Sequence, residues 1–224
     1  MPWGLLAAVG GLVCLVTLYR RERAQERRKR ARFFIGCLDL FQTYRVVQDA
    51  IAYPVLTGTY RGHDVRLEPI VDHMAWRKLP VLWLKVSVLR ANPYCGVLDF
   101  LMRPLGTEFY SPSGHLDHRL KIPESWPQDG ILCTDDPEAM PPLSVVAPHI
   151  ERFANTNLKE LVVTPLGVRL VCQIWQASRP HYAVLREIRF EEVELDRGLA
   201  AKYLDAAIAV TQSLSEPRPL RQVA

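Results

Sequence analysis

The densest group of chemically capable side chains in the sequence is Ser113-Gly114-His115-Leu116-Asp117-His118. Two imidazoles and a carboxylate are the ligand types of a metal site, and serine, histidine and aspartate together are the types of a nucleophilic triad. The spacing matches no established metal pattern, and the neighbouring Pro and Gly mark the stretch as a solvated loop. A hydrolytic or metal-dependent enzyme using residues 113–118 is therefore the third reading of this chain. His63-Asp64 and Asp72-His73 are adjacent pairs, and adjacent strand residues point to opposite faces, so neither makes an acid–base couple from a strand. Asp135, Asp136 and Glu138 are cation-ligand types, but with Pro137 they read more simply as a helix start.

Two arginines remain. Gly62-His63-Asp64-Val65-Arg66-Leu67 is echoed by Gly167-Val168-Arg169-Leu170, which puts Arg66 and Arg169 at matching positions after two turns. Such a pair can grip a phosphate or carboxylate. Side chains alternate along a strand, so Val65, Leu67, Val168 and Leu170 are expected on one face and both arginines on the other. There each needs an acidic partner, a ligand or water. Glu68 is expected not to serve Arg66, and Glu187 or Glu191 is the expected partner of Arg169. No phosphate-binding glycine loop, Gly-x-Ser-x-Gly elbow or His-Glu-x-x-His helix is present, so no cofactor and no enzyme class emerges.

The elements that position these residues begin with an uncharged run, Trp3 to Tyr19, followed by a collar: Arg20, Arg21, Arg23, Arg27, Arg28, Lys29, Arg30 and Arg32 against Glu22 and Glu26. Seventeen helical residues reach about 25 Å, which predicts one transmembrane anchor over residues 1–19 with aromatic ends and snorkelling arginines. A cleaved signal peptide would instead carry positive charge before its core. The basic collar, residues 20–32, is expected to face the cytoplasm and to meet anionic headgroups. Gly4/Ala8 and Ala7/Gly11 are small pairs through which two such helices could approach as a homodimer. The chain carries +4 and the collar alone +6, so the remainder sums to −2. That balance gives no sign of nucleic acid as a partner.

Residues 33–214 suit a single cytoplasmic α+β domain, and 215–224 a flexible tail. The spacing of Phe34, Leu38, Phe41, Val46 and Ala50 predicts a helix over 33–53. Val55–Tyr60 and Val65–Val71 are expected to form a hairpin, with Pro80–Leu89 as third strand. Shorter strands are expected at 97–102, 107–110 and 130–134. A helix near 143–155 precedes a second hairpin, 161–164 with 168–175, then a strand over 182–191 and an amphipathic helix over 195–214. The order helix, hairpin, third strand thus occurs twice, within one antiparallel sheet packed by helices. Five scattered cysteines fit a reducing compartment and no zinc site.

Arg77-Lys78-Leu79-Pro80-Val81-Leu82-Trp83-Leu84, Leu101-Met102-Arg103-Pro104-Leu105-Gly106 and Cys133-Thr134-Asp135-Asp136 resemble segments of uncharacterised bacterial single-pass membrane-anchored proteins. The resemblance spans most of residues 55–190 and implies a bacterial inner-membrane setting. It implies no activity, cofactor or site. By elimination, the leading expectation is a membrane-tethered, non-catalytic cytoplasmic module that binds a protein partner or supports assembly of a membrane complex. The alternative is a ligand- or lipid-binding domain using a concave sheet face.

Overall fold

The computed structural model describes residues 2–72, 80–106, 108–153, 157–176 and 194–215. Its first element is the long helix α1 (Pro2–Ala31), which carries both the apolar run and the collar without a break. Among the described residues, no helix is long and apolar enough to cross a membrane.

Residues 33–53 are not a helix. A 3-10 helix covers Ile35–Leu40, and the chain then forms strand β1 (Thr43–Val47). Two physical causes defeat the helical spacing. Phe33 and Phe34 are both fully buried, and Phe33 O accepts from Leu195 N–H at 2.7 Å, a carbonyl that a continued helix would need for residue 37. Thr43-Tyr44-Arg45-Val46-Val47 is β-branched and aromatic, a composition that favours extended backbone.

β2 (Val55–Tyr60) and β3 (His63–Asp72) form the first hairpin. Its two-residue turn, Arg61-Gly62, has φ of 49° and 77°, the left-handed pair that suits the twist of a hairpin. β4 (Val81–Val88) follows with its expected alternation. Leu82, Leu84, Val86 and Val88 are all fully buried. Then come β5 (Leu98–Met102), the short β6 (His118–Arg119) and β7 (Gly130–Thr134). Residues 108–110 form a turn rather than part of a strand. Asp135–Met140 is a turn rather than a helix start: Asp136 Oδ1 accepts from Glu138 N–H at 2.9 Å and Met140 N–H bonds Asp136 O at 3.1 Å, but the turn is not continued. Helix α2 (Leu143–Phe153) is followed by the hairpin β8 (Leu158–Thr164) and β9 (Gly167–Gln176), and by helix α3 (Arg197–Ser215). The expected strand over 182–191 lies outside the described residues.

Among the described residues the strands form one antiparallel nine-stranded sheet, ordered β1-β2-β3-β4-β9-β8-β5-β7-β6. The architecture is α+β. One face carries the core: α3 lies across β4 and β9, with α2 and the 3-10 helix beside it. α3 starts where Asp196 Oδ1 accepts from Leu199 N–H at 2.8 Å, an N-cap that satisfies one of the first-turn donors. It buries Ala200, Tyr203, Leu204, Ala207, Ile208, Val210 and Leu214. Asp205 then ties it to the first hairpin, accepting from Tyr60 OH at 2.9 Å and pairing with Arg61 at 2.8 Å.

β1 joins the sheet through a close approach to Gly58, where an added Cβ would collide with Thr43 O. Gly58→Ala is therefore expected to loosen β1 at a cost of roughly 1–3 kcal/mol. Hydrogen exchange checks it: the amides of 43–47 should lose protection while β4 keeps its own, and unchanged protection of β1 would refute the steric account.

Candidate functional site

Each strand of the sheet has a second face, turned away from the helices, and the register fixes which residues share it. Arg45 opposes Thr57, Thr57 opposes Arg66, Arg66 opposes Ser87, and Ser87 opposes Arg169. Directly opposed residues point to the same side, so one row runs Arg45–Thr57–Arg66–Ser87–Arg169 across five strands. Arg66 and Arg169 do share a face, with Val65, Leu67, Val168 and Leu170 buried on the other.

The partner of Arg66 differs from expectation. Arg66 meets Glu68 Oε2 at 3.3 and 3.4 Å. The expectation against Glu68 fails because residues two apart in a strand share a face. Glu68 also meets Lys85 at 3.5 Å. Arg169 meets Glu160 Oε2 at 3.4 Å, while Glu187 and Glu191 lie outside the described residues.

At the β1 end of this row the surface dips into a groove of about 700 Å³, lined by Arg30, Arg45, Val47, Asp49, Ala52, Tyr53, Val55, Thr57, Arg66, Glu68, Pro69 and Val71. Three elements build it. β1, β2 and β3 form the floor. The loop between β1 and β2 forms one wall, and the end of α1 closes it. Arg30 is the joint between helix and wall. Its Nε bonds Glu26 at 2.9 Å, its Nη1 donates to Ile51 O at 2.8 Å, and its guanidinium sits 5.1 Å from the centre of the Tyr53 ring. Burial pushes the Tyr53 phenol up to about 12, so it stays neutral. Gln48 Nε2 donates to Arg27 O at 3.0 Å and to Ala52 O at 2.9 Å, fixing the same wall to the helix. Arg45 is exposed and, among the described residues, has no carboxylate partner. The groove thus joins an uncommitted cation and a weakly held one to apolar walls.

Further along the face the polar groups are sealed in. Asp99 on β5 and Glu160 on β8 are both fully buried. Asp99 opposes Val162 and Glu160 opposes Leu101, so the two carboxyls are diagonal neighbours on one face. Ser111 Oγ donates to Asp99 Oδ2 at 3.2 Å. Burial, and next the charge of Glu160, push the Asp99 carboxyl up to about 8. Burial raises Glu160 as well, against the pull of Arg169. Asp99 Oδ1, Glu160 Oε1, Arg169 Nε and the Tyr110 hydroxyl have no hydrogen-bond partner among the described residues. Beside them Lys159 Nζ bonds Glu108 Oε1 at 2.7 Å, with both side chains almost wholly buried. Residues 103–106 and 108–113 flank this cluster, with Glu108 bonded to Lys159 and Ser111 to Asp99.

The remaining sequence candidates are not assembled into a site. His115, Asp117 and His118 are exposed, and among the described residues no group of three or more His, Cys, Asp or Glu is placed to hold a metal. His63 and Asp64 oppose Tyr60 and Thr59, on opposite faces. Asp72 is buried and accepts from Trp83 Nε1 at 3.4 Å, and His73 lies outside the described residues. In the collar, Arg23 reaches the Tyr19 hydroxyl at 2.8 Å and Arg32 meets Glu194 at 3.2 Å. Arg20, Arg21, Arg27, Arg28 and Lys29 are exposed.

Sequence reasoning missed Arg45 and Thr57, because β1 reads as helix. It also missed the buried ions, although a signal was present: Asp99 interrupts Leu98–Met102, and Lys159-Glu160 interrupts an otherwise apolar strand.

No family model matches the chain, and no curated protein matches it. Among solved structures, the crystal structure of the mycobacterial trehalose monomycolate transport factor A, TtfA, is similar at 14% identity and a TM-score of 0.37, over 77% of this chain and 79% of that one. At that score the likeness carries no argument about this chain.

Proposed function

We propose that this chain is a membrane-tethered, non-catalytic module whose cytoplasmic sheet binds a partner at a fixed position over the bacterial inner membrane. The observation that carries this reading is the continuity of α1. Its apolar half passes unbroken into the collar, and the collar's end is bonded to the sheet domain through Arg30–Ile51, Gln48–Arg27 and Arg32–Glu194. Val9, Leu12, Val13, Leu15, Val16 and Leu18 are all exposed and point around the helix rather than to one side. Moving six such side chains out of water is worth on the order of 10 kcal/mol. The run of 17 uncharged residues from Trp3 to Tyr19 is short for a full span, a mismatch that snorkelling arginines and local thinning accommodate. The positive charge of the collar favours an N-terminus outside and a sheet in the cytoplasm.

The full chain is expected to float with lipid vesicles in a density gradient, and a variant lacking residues 2–19 to stay with the soluble fraction. A deletion variant that floats equally well would sink the tether. For orientation, Cys95 is the useful reporter, since Cys37, Cys133 and Cys172 are buried. In a Cys14→Ser background, an impermeant maleimide should reach Cys95 only after lysis.

Within this reading a protein partner is favoured by β1, which among the described residues is an edge strand paired with β2 alone, with Tyr44, Val46 and Val47 exposed. Open edges of that kind take an added strand. A photo-crosslinker at Val46 should give a discrete adduct in native membranes, and none with the same probe at Leu166 on the far hairpin. Equal labelling at both would count against the edge. The groove favours the alternative reading of a ligand-binding domain.

A further inference from the structure

We infer that the groove on β1–β3 is a binding site for the phosphate and one acyl arm of an anionic phospholipid drawn from the bilayer that holds α1, an inference that rests on the tethered reading above for its source of lipid. Three independent features converge on that occupant.

The first is the anion cradle. Arg45 and Arg66 stand on either side of Thr57 in register. Strands are spaced by about 4.8 Å, so the two guanidinium groups rise from bases roughly 10 Å apart, with a hydroxyl between them. A phosphate can be gripped from both sides there, since guanidinium forks match phosphate oxygens in pairs. Neither arginine is firmly committed. Arg45 has no carboxylate partner among the described residues, and Arg66 has only the long contacts to Glu68. Lys85 lies 3.5 Å from the same Glu68 oxygen. Lys85 therefore keeps Glu68 compensated when Arg66 turns to a ligand, and no carboxylate is stranded.

The second feature is the apolar wall. Val47, Val55 and Val71 line the same groove as the arginines, and Val47 is half exposed. A site for a small hydrophilic anion has no use for such a wall. An amphiphile uses both parts, and a volume near 700 Å³ suits one drug-sized ligand or one arm of a larger lipid.

The third is position. Arg30, which closes the groove, is the eleventh residue after Tyr19 on one continuous helix, so it stands about 16 Å beyond the end of the apolar run. That height brings the groove to the headgroup side of the leaflet, where the exposed collar arginines also attract anionic lipid.

The test uses the full chain in a nonionic detergent and short-chain lipids soluble as monomers. Isothermal titration with dihexanoyl-phosphatidylglycerol should give saturable binding. Dihexanoyl-phosphatidylcholine and inorganic phosphate should each bind at least tenfold more weakly. The pair Arg45→Ala with Arg66→Ala should weaken phosphatidylglycerol binding at least tenfold, with an unchanged circular dichroism spectrum and melting temperature. Val47→Asn should weaken the lipid but leave inorganic phosphate binding as it was. In a control, Arg90→Gln with Lys121→Gln, at exposed positions that do not line the groove, should leave the titration unchanged. Equal affinity for the two lipids, or for phosphatidylglycerol and free phosphate, would overturn the proposal. So would full retention of binding by the Arg45/Arg66 variant. Vesicle flotation of the same variants separates this from the tether: an arginine variant that floats normally but does not bind supports the site, a wild-type chain that binds lipid in detergent but does not float overturns the tether and with it the bilayer as source, and a wild-type chain that floats but does not bind overturns the groove alone.

Discussion

Replacing Asp99 with Asn raises the stability of the protein at pH 8.5 by far more than at pH 5. Asp99 and Glu160 are buried as diagonal neighbours, facing Ser111 and Ser113 from the overlying segment, Arg169 from β9, Cys133 from β7 and, nearer Glu160, Lys85 and Lys159. Only one of the two carboxyls is readily ionised in that space. The carboxyl of Asp99 is raised to about 8 in the folded chain, against about 3.9 when unfolded. The folded state therefore holds more protons between those values, and stability falls as pH rises through that window. At pH 5 the folded aspartic acid is still neutral and the amide of Asp99→Asn is its near-isostere, so only ionisation in the unfolded chain separates the two. At pH 8.5 the parent bears a second buried anion, while the variant bears none and offers its N–H to the unpartnered Glu160 Oε1. At about 1.4 kcal/mol per pKa unit, with the shift shared across the pair, the difference is on the order of 3 kcal/mol. Urea unfolding of the full chain in nonionic detergent at the two pH values reads it directly. An equal loss of stability at both would mean that Asp99 is needed as an anion, and the shared-proton account would fail.

The hairpins were legible because their signals are local. Arg61-Gly62 needs two left-handed residues, and the alternation of Val81–Val88 separates a fully buried face from a half-polar one. The echo Val65-Arg66-Leu67 and Val168-Arg169-Leu170 was also legible, and the sheet explains it. Both segments lie against the same three residues of β4: Val88, Ser87 and Val86. Arginine above serine on each side, with valine and leucine below, is one solution to one environment used twice. What stayed hidden depended on register. Arg45, Thr57 and Arg66 become neighbours only when β1 is known to be a strand, and the apolar spacing of Phe34, Leu38 and Phe41 points to a helix instead. That spacing is used, but by a 3-10 turn that buries Cys37 and Phe41 before the chain straightens. The apolar run of α1 shows the opposite limit: its composition is plain, yet composition alone does not fix where the helix sits.

Removing Glu108 while keeping Lys159 is expected to cost about 3–5 kcal/mol, the usual penalty for a buried charge left without its partner. Lys159 enters the sheet at the β8 irregularity between Leu158 and Glu160, and its ammonium donates to Glu108 and to Arg103 O. It lies 5.8 Å from the centre of the Trp83 ring. The two partners report differently on the bond. Burial works against the Glu108 carboxylate, yet the hydrogen bonds from Lys159 and Leu105 N–H outweigh it and hold the group below its ordinary value. Burial of Lys159 pushes its ammonium down, and Glu108 only partly opposes that. The carboxylate gains from the pair and the ammonium loses, so the intact pair comes close to breaking even against an apolar core. The geometry decides the broken case: with Glu108→Ala, the ammonium keeps one carbonyl and only the smaller attraction of Asp72. Glu108→Ala combined with Lys159→Met should then recover to within about 1 kcal/mol of the parent, because methionine fills the lysine stem's path beside Trp83 without a charge to desolvate. Urea midpoints of parent, single and double variants close the cycle. A single variant within 1 kcal/mol of the parent would mean that water reaches Lys159, and that this face of the sheet is not sealed around Glu108.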